Sequence, residues 1–308
     1  MISIITDRVT VSRAASLMGG GSQVYLKEGE VFTLEELMKA IMISSANDAV
    51  YAIGEYAGGS KDEMIRLMNE KAKVLGLLDT QFHTVHGLPQ ENGQKEDTTS
   101  CNDLAILARG LVRYPKIIEW SSIRTDTFRD GTFVMTNTNK FLSKFPGADG
   151  LKTGYCRNSG FNIVITAKRG DLGLIAVVMG SPTAQVRDAV AKERLQKAFS
   201  HYTMLNIVRK GEVIEQDILL VDGKYRKMKG VTEKGFLYPV ANERKGAVAK
   251  DFFLPEKLEG EVREGQKLGE MVIRIDNETI GKVNIISPVY VPKANLLTRC
   301  VRRLGLNI

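Results

Sequence analysis

The sequence predicts an α+β fold followed by a small all-β domain. Three observations carry this expectation. Helical periodicity dominates up to about Arg113, two hairpin signals and one long helical stretch follow, and past Asn206 the chain turns to short strands punctuated by glycine and proline. The order of elements shows no repeated strand–helix–strand crossover, so a mixed antiparallel arrangement is expected rather than a doubly wound parallel sheet.

The first helix is predicted from Thr33. Its side chain can cap, Glu36 stands three residues on as the other half of a capping box, and Leu34, Leu37, Met38, Ile41 and Met42 form one stripe. The polar run "SSAND" interrupts that stripe. A short helix is read from Ala49 to Ala57, stopping at Gly58-Gly59. Ser60 with Glu63 opens "SKDEMIRLMNEKAKVLGL", and Ser100 with Asp103 opens "CNDLAILARGLVR", which Pro115 stops. "RTDTFR" and "TFVMTN" flank Asp130-Gly131, a hairpin signal, and "GFNIVITAKR" and "GLIAVVMGS" flank a second turn, "GDL". A helix from Ala184 to about Tyr202 is placed to cover the sheet. The segments "DILLVDG", "GFLYPVA", "KDFFLP", "MVIRID" and "KVNIISPVYVP" read as the strands of the second domain.

The tail "KANLLTRCVRRLGLNI" differs again. It carries Lys293, Arg299, Arg302 and Arg303 and no acid, while Leu296, Leu297, Cys300, Val301 and Leu304 recur at spacings of three and four. This is the pattern of an amphipathic helix with a cationic polar face, suited to the interface of an anionic bilayer. A helix packed on its own domain, or on a partner helix, has the same pattern.

Bulk composition narrows the function classes. The 308 residues allow one large and one small domain or two of medium size, and 43% hydrophobic with 26% charged residues is ordinary for a globular protein. A net charge of +7 with acids and bases mixed along the chain does not point to nucleic acid. Cys101, Cys156 and Cys300 lie far apart, so neither a zinc site nor a disulfide framework is expected. His83 and His86 form an HxxH without a glutamate motif and read as ordinary loop histidines. The opening "MISIITDRVTVSRAAS" has charges and no apolar core of a signal peptide, and no run of eighteen apolar residues occurs.

Two short motifs carry chemistry. In Ser45-Ala46-Asn47 a hydroxyl able to pass a proton and an amide able both to donate and to accept stand two residues apart, inside a helical region that they break. Alone the pattern is common and reads as a cap or turn. Lys152-Thr153-Gly154 is rarer. A cation attracts a carboxylate, a hydroxyl hydrogen-bonds it, and a glycine admits a ligand against a strand edge. Strand alternation sends Lys152 and Thr153 to opposite faces, so both can serve one ligand only if it lies along the edge.

These motifs, with "GSQVYLKEGEVFTLEELMKAIMISSANDA", "FHTVHGL", "CNDLAILARGL" and "TNTNKFL…PGADGLKTGY" around them, resemble the D-alanyl-D-alanine carboxypeptidases among the low-molecular-mass penicillin-binding proteins. The likeness runs from the first residues to about Tyr202, and the β-rich segment and tail resemble that family's C-terminal domain and membrane anchor. It implies a penicillin-binding-protein/β-lactamase-like domain over residues 1–204, a β-sandwich-like domain over 205–291 and an amphipathic anchor over 292–308. It implies Ser45 as proton relay, Asn47 holding the substrate's peptide carbonyl, Lys152 and Thr153 holding the terminal carboxylate, Gly154 admitting a strand-like peptide, and the Tyr155 backbone N–H as half of an oxyanion hole. The implied ligands are stem peptides ending in D-Ala-D-Ala and β-lactams, with the membrane surface as a partner of the tail, no nucleic acid, no metal and no cofactor, at the extracytoplasmic face of the bacterial cytoplasmic membrane.

One motif of the family is missing. Its nucleophile lies in S-x-x-K, several tens of residues before S-x-N, and no serine in this sequence has lysine three residues on. The resemblance therefore implies a serine-type carboxypeptidase represented without its acylating serine, with apolar surface left uncovered. Met1 is expected to be an internal methionine of a longer reading frame. The competing expectation is a shortened protein that binds without cutting, a non-catalytic peptidoglycan-binding or membrane-associated interaction protein. A β-lactamase fits less well, given the extra β-domain and basic tail.

Overall fold

The structure is a computed structural model that describes residues 5–88 and 95–303. The chain divides into two units, Met1–Phe199 and Ser200–Ile308.

In the first unit β1 (Arg8–Thr10), α1 (Arg13–Ser16), β2 (Val31–Thr33), α2 (Leu34–Ser44), α3 (Asn47–Gly58) and α4 (Lys61–Leu75) come first. Strands β1 and β2 pair antiparallel. The capping box at Thr33 is complete, with the Glu36 backbone N–H donating to Thr33 Oγ1 and the Thr33 N–H donating back to the Glu36 carboxylate. At Ser60 only half of the predicted box forms, the Glu63 N–H donating to the serine hydroxyl. Leu37, Ala40 and Ile43 of α2 are buried with Ala49 and Ala52 of α3, Phe32, Phe128 and Met135 in one core.

Next come α5 (Cys101–Leu111) and α6 (Pro115–Ser122). Pro115 stops one helix, as its sequence implies, and also starts the next. At the first helical position its missing N–H costs nothing and its fixed φ already fits. Strands β3 (Thr125–Phe128) and β4 (Phe133–Thr136) form the hairpin marked by Asp130-Gly131. Strands β5 (Ala148–Cys156), β6 (Gly160–Arg169) and β7 (Leu172–Ser181) form an antiparallel sheet in that order. Helix α7 (Ala184–His201) covers it, burying Ala191 and Leu195 against Ile163 and Ile165. Strand β7 carries no charge and is apolar at nearly every position, yet among the described residues it pairs on one edge only. A run apolar on both faces is the composition of an interior strand, not of an edge.

The second unit holds β8 (Tyr202–Val208), β9 (Val213–Leu220), β10 (Lys227–Thr232), β11 (Phe236–Ala241), β12 (Val248–Phe253), β13 (Lys257–Leu258), β14 (Lys267–Ile275), β15 (Glu278–Ile286) and α8 (Leu296–Arg303). Tyr202, read from sequence as the last residue of the long helix, opens β8 instead. Six strands form one sheet in the order β12-β14-β15-β10-β9-β13, and β8 pairs with β11. Ile207, Val208 and Val240 of the small sheet are buried with Met271, Ile273, Val283 and Ile285 of the large one. Of the predicted tail stripe, Leu304 lies outside the described residues.

Candidate active site

The first unit contains a cleft of about 720 Å³ whose walls come from six parts of the chain: the Gly21–Ser22 segment, the α2–α3 junction, the loop around His86, the segment from Thr138 to Lys144, the strand β5 with its hairpin partner, and the start of α7. Ser45, Asn47, Lys152, Thr153, Gly154 and Tyr155 all line it. The sequence separates the two motifs by more than a hundred positions, and the fold brings them into contact. Lys152 Nζ donates to Ser45 Oγ at 2.8 Å.

The α2–α3 junction explains how Ser45 and Asn47 face the same space. Helix α2 ends with Ser45 in the left-handed region, φ 59°, its N–H bonded back to Ile41 O. Glycine normally takes such a position, and a residue with a Cβ is held there at a cost of about 1 kcal/mol. Helix α3 then starts after Ala46 with no side-chain cap. The side chains that would cap in an ordinary junction, Ser45 and Asn47, are turned to the cleft. The next residue does the structural task. Asp48 is buried and accepts from the backbone N–H groups of Val24 and Leu26, fixing an extended segment beside the junction.

Asn47 is nearly buried. Its Nδ2 donates to Gly20 O at 3.2 Å and its backbone N–H to Ser22 O. The glycine run Gly19-Gly20-Gly21 makes this possible. Gly21 has φ +64°, and a Cβ there would collide with the Asn47 amide. Sequence reasoning passed over this run, though three glycines in a row ahead of a helix were a visible sign of a close backbone approach.

Strand β5 lies at the end of its sheet, so one edge is free of strand partners among the described residues. Five consecutive residues, Lys152 to Cys156, line the cleft, which therefore follows the strand edge and not a face. That removes the alternation problem posed by the sequence. Lys152 Nζ also donates to Thr153 O at 2.9 Å, so two of its three N–H donors are in use. Lys152 is half-buried in the cleft wall, and burial alone pushes its pKa down from 10.5 to about 8. The cation is thus held in a place short of both water and countercharge. An added Cβ at Gly154 would meet no protein atom within 4 Å, so packing does not demand this glycine. The bare backbone keeps the cleft open at that point.

Further residues converge here that sequence reasoning did not single out for chemistry. Thr153 Oγ1 donates to Thr138 Oγ1 at 3.3 Å, and the Thr138 backbone N–H donates to Ile43 O near the end of α2. Thr138 is held between two buried asparagines. Asn137 Nδ2 donates to Ser121 O and Ile123 O, and its Oδ1 accepts from the Asn139 N–H. His86, read from sequence as an ordinary loop residue, lines the cleft. Its Nδ1 accepts from the Leu88 N–H, which leaves the proton on Nε2, and burial lowers its pKa so that the imidazole is neutral. At the α7 end Arg187 and Asp188 are buried, and Asp188 accepts from both Arg187 and Lys144. The cleft is therefore rich in cations and amide or hydroxyl donors, and its one described acid is already bound. Such a lining favours an anionic ligand with peptide groups. Among the described residues no group of three or more histidine, cysteine, aspartate or glutamate side chains could hold a metal ion.

The comparisons with known proteins agree in both units. A family model described as D-alanyl-D-alanine carboxypeptidase matches residues 3–183, and one described as Penicillin-binding protein 5, C-terminal domain, matches residues 202–293. The D-alanyl-D-alanine carboxypeptidase DacF of Bacillus subtilis is 32% identical over 305 residues, covering 98% of this chain and 77% of the relative. DacA of Escherichia coli is 28% identical over 308 residues, covering 98% and 75%. Penicillin binding protein 5 from Haemophilus influenzae superposes with a TM-score of 0.71 at 26% identity, covering 94% of this chain and 83% of that one. By these matches the chain belongs to the D-alanyl-D-alanine carboxypeptidase family.

Proposed function

We propose that this chain forms the S-x-N and K-T-G walls of a serine-type D-alanyl-D-alanine carboxypeptidase that removes the terminal D-alanine from peptidoglycan stem peptides. The observation that carries the proposal is the hydrogen bond between Lys152 and Ser45, joined across 107 positions of sequence in one donor-rich cleft.

The stem peptide lies along β5 as an added strand. Its terminal carboxylate takes the remaining Lys152 donor and the Thr153 hydroxyl, whose proton turns to it from Thr138 Oγ1 while the Thr138 hydroxyl donates to Thr153 in return. The second N–H of the Asn47 amide holds a peptide carbonyl, and the Tyr155 backbone N–H contributes to the oxyanion hole. The acylating serine and its lysine belong to an S-x-x-K that this sequence does not contain. Its hydroxyl attacks the carbonyl between the two D-alanines, an ester forms as the peptide C–N bond breaks, and Ser45 delivers a proton to the departing amine. Water then cleaves the ester. Penicillins acylate the same serine. On this reading residues 1–204 are the catalytic domain, 205–291 a β-sandwich-like domain and 292–308 a membrane anchor, at the extracytoplasmic face of the cytoplasmic membrane. No described helix is long and apolar enough to cross a membrane.

Labelling with a fluorescent penicillin tests the proposal. The 308-residue chain should stay unlabelled, and the product of the reading frame extended upstream of Met1 should label and release D-alanine from a D-Ala-D-Ala peptide. A stop codon upstream with no encoded S-x-x-K, or an extended protein that takes no label, overturns it. That outcome favours the second reading, a non-catalytic peptidoglycan-binding or membrane-associated interaction protein.

A further inference from the structure

The last helix is turned the wrong way for packing on its own unit. In α8 the apolar residues Leu296 and Leu297 are 72% and 74% exposed, and Cys300 is exposed beside them. Among the described side chains of the helix, Thr298 and the cation Arg299 are half-buried, and Arg299 Nε donates to Asp222 Oδ1 at 3.3 Å. Asp222 is buried, and its backbone carbonyl accepts from the Ala294 N–H at 2.8 Å. Gly223 bridges Lys293, and the Lys224 N–H donates to Pro292 O. The chain entering α8 is therefore strapped to the 222–224 loop, and the Asp222–Arg299 pair sets the roll of the helix. An amphipathic helix free to choose would bury its leucines and leave the arginine in water.

The neighbouring loops match the helix in character. Tyr225, next to the strap, and Val289 and Tyr290, just before it, are each more than half exposed. Lys224 lies over the Tyr225 ring, and Lys224 and Lys293 are exposed. Besides the buried Asp222, Glu261 contacts this region, and it accepts from the Tyr290 hydroxyl and pairs with Arg263. Exposed tyrosines, exposed leucines and cations gathered at one place are the composition of a membrane-interface belt.

We propose that the 222–226 and 288–293 loops meet an anionic lipid surface together with α8, with Lys224, Tyr225 and Tyr290 as direct lipid contacts and Asp222 as the positioning residue that turns the apolar face of α8 outward. This rests on the membrane reading of the tail and extends the footprint onto the body of the second unit. Charge selects the occupant. A cationic rim with apolar tips complements anionic headgroups above acyl chains.

The test uses the full chain with phosphatidylcholine vesicles, with and without phosphatidylglycerol. Lys224→Gln should weaken binding to the anionic vesicles about five-fold and leave the neutral ones unchanged. The Tyr225→Ser/Tyr290→Ser pair, whose side chains are exposed and need not disturb folding, should weaken binding to both. In Tyr290→Trp the fluorescence of the new indole should be quenched by lipids brominated on their acyl chains, whereas the buried Trp120 is not. Arg299→Gln should lessen that quenching by freeing the helix to roll. Deletion from Lys293 onward tests the tail by itself. Release by the deletion, with the lysine and tyrosine variants binding as wild type and no quenching at position 290, leaves the tail reading standing and overturns the rim. A wild-type chain that leaves vesicles unbound, whether monomeric or self-associated, sinks both.

Discussion

Replacing Lys152 by methionine should make the protein no less stable near neutral pH while abolishing recognition of a peptide carboxylate. The side chains are close in length, so the change removes chiefly the charge. The side chain is half-buried, and its pKa falls to about 8 through burial. A drop from 10.5 to about 8 corresponds to about 3 kcal/mol, at roughly 1.4 kcal/mol per pH unit. Against this, methionine gives up the charge-assisted hydrogen bonds to Ser45 and to Thr153 O, at about 1.5 kcal/mol each. The two terms offset one another, and the variant should be about as stable as wild type near pH 7. The sign of the pH dependence follows from proton counting. Between about 8 and 10.5 the unfolded chain holds the lysine proton and the folded one does not, so wild-type stability rises with pH through that window relative to the variant. Other lysines and tyrosines titrate equally in both proteins and cancel. Urea unfolding at about pH 7 and about pH 10 should therefore show the difference swinging by roughly 3 kcal/mol toward wild type. Two stability differences that stay equal would show that the ammonium is hydrated and that the cleft does not strain it. Binding of a peptide ending in D-Ala-D-Ala should meanwhile be lost in the variant at neutral pH.

Three other outcomes follow from named contacts. Asp48→Ala leaves the N–H groups of Val24 and Leu26 without their acceptor and should cost about 3 kcal/mol in urea unfolding, with the cleft lost as the 22–26 segment detaches. Arg129 pairs with Glu30, donates to the carbonyls of Val24 and Tyr25 and lies over the rings of Phe32 and Phe128, so Arg129→Ala should cost about 2 kcal/mol at neutral pH. Arg129 holds the Glu30 carboxyl below the usual carboxylate range, so that stabilisation is present above the unfolded carboxylate pKa and fades as pH falls through the folded one; a cost that grows toward acid would contradict the pairing. Thr138→Val removes the hydroxyl that orients Thr153 and should weaken a peptide ending in carboxylate about five-fold while sparing the carboxamide analogue, with Thr138→Ser retaining wild-type affinity.

What the sequence made legible was local or periodic. The Thr33–Glu36 box, the stop at Gly58-Gly59 and the turn at Asp130-Gly131 each depend on neighbours within a few residues, and each forms. The S-x-N and K-T-G motifs could be named because their residue types already imply a ligand, but their meeting could not be read from spacing. The residues that complete the cleft were illegible for the same reason. Thr138 resembles any loop threonine until Thr153 stands beside it. Gly21 resembles a flexible turn until the Asn47 amide occupies the space of its missing side chain. Arg187 and Asp188, adjacent on a charged helix, read as solvated until the sheet and the loop of Lys144 enclose them. Alternation along β5 pointed toward a conflict between Lys152 and Thr153, because the period describes faces and the cleft runs along an edge.

The costs in this unit are not scattered. A serine occupies a left-handed position where glycine is cheaper, a helix begins without a side-chain cap, and a lysine is kept where water and countercharge are scarce. Each alone is a tolerable irregularity. All three meet around the hydrogen bond between Ser45 and Lys152, and replacement by better-behaved residues, glycine at one end and methionine at the other, would relieve two of them without disturbing the core. Folding gives no reason to retain such an arrangement. A ligand does, because a partly desolvated cation, an amide with one N–H still to place and a bare strand edge are each worth more once a carboxylate-ended peptide lies between them.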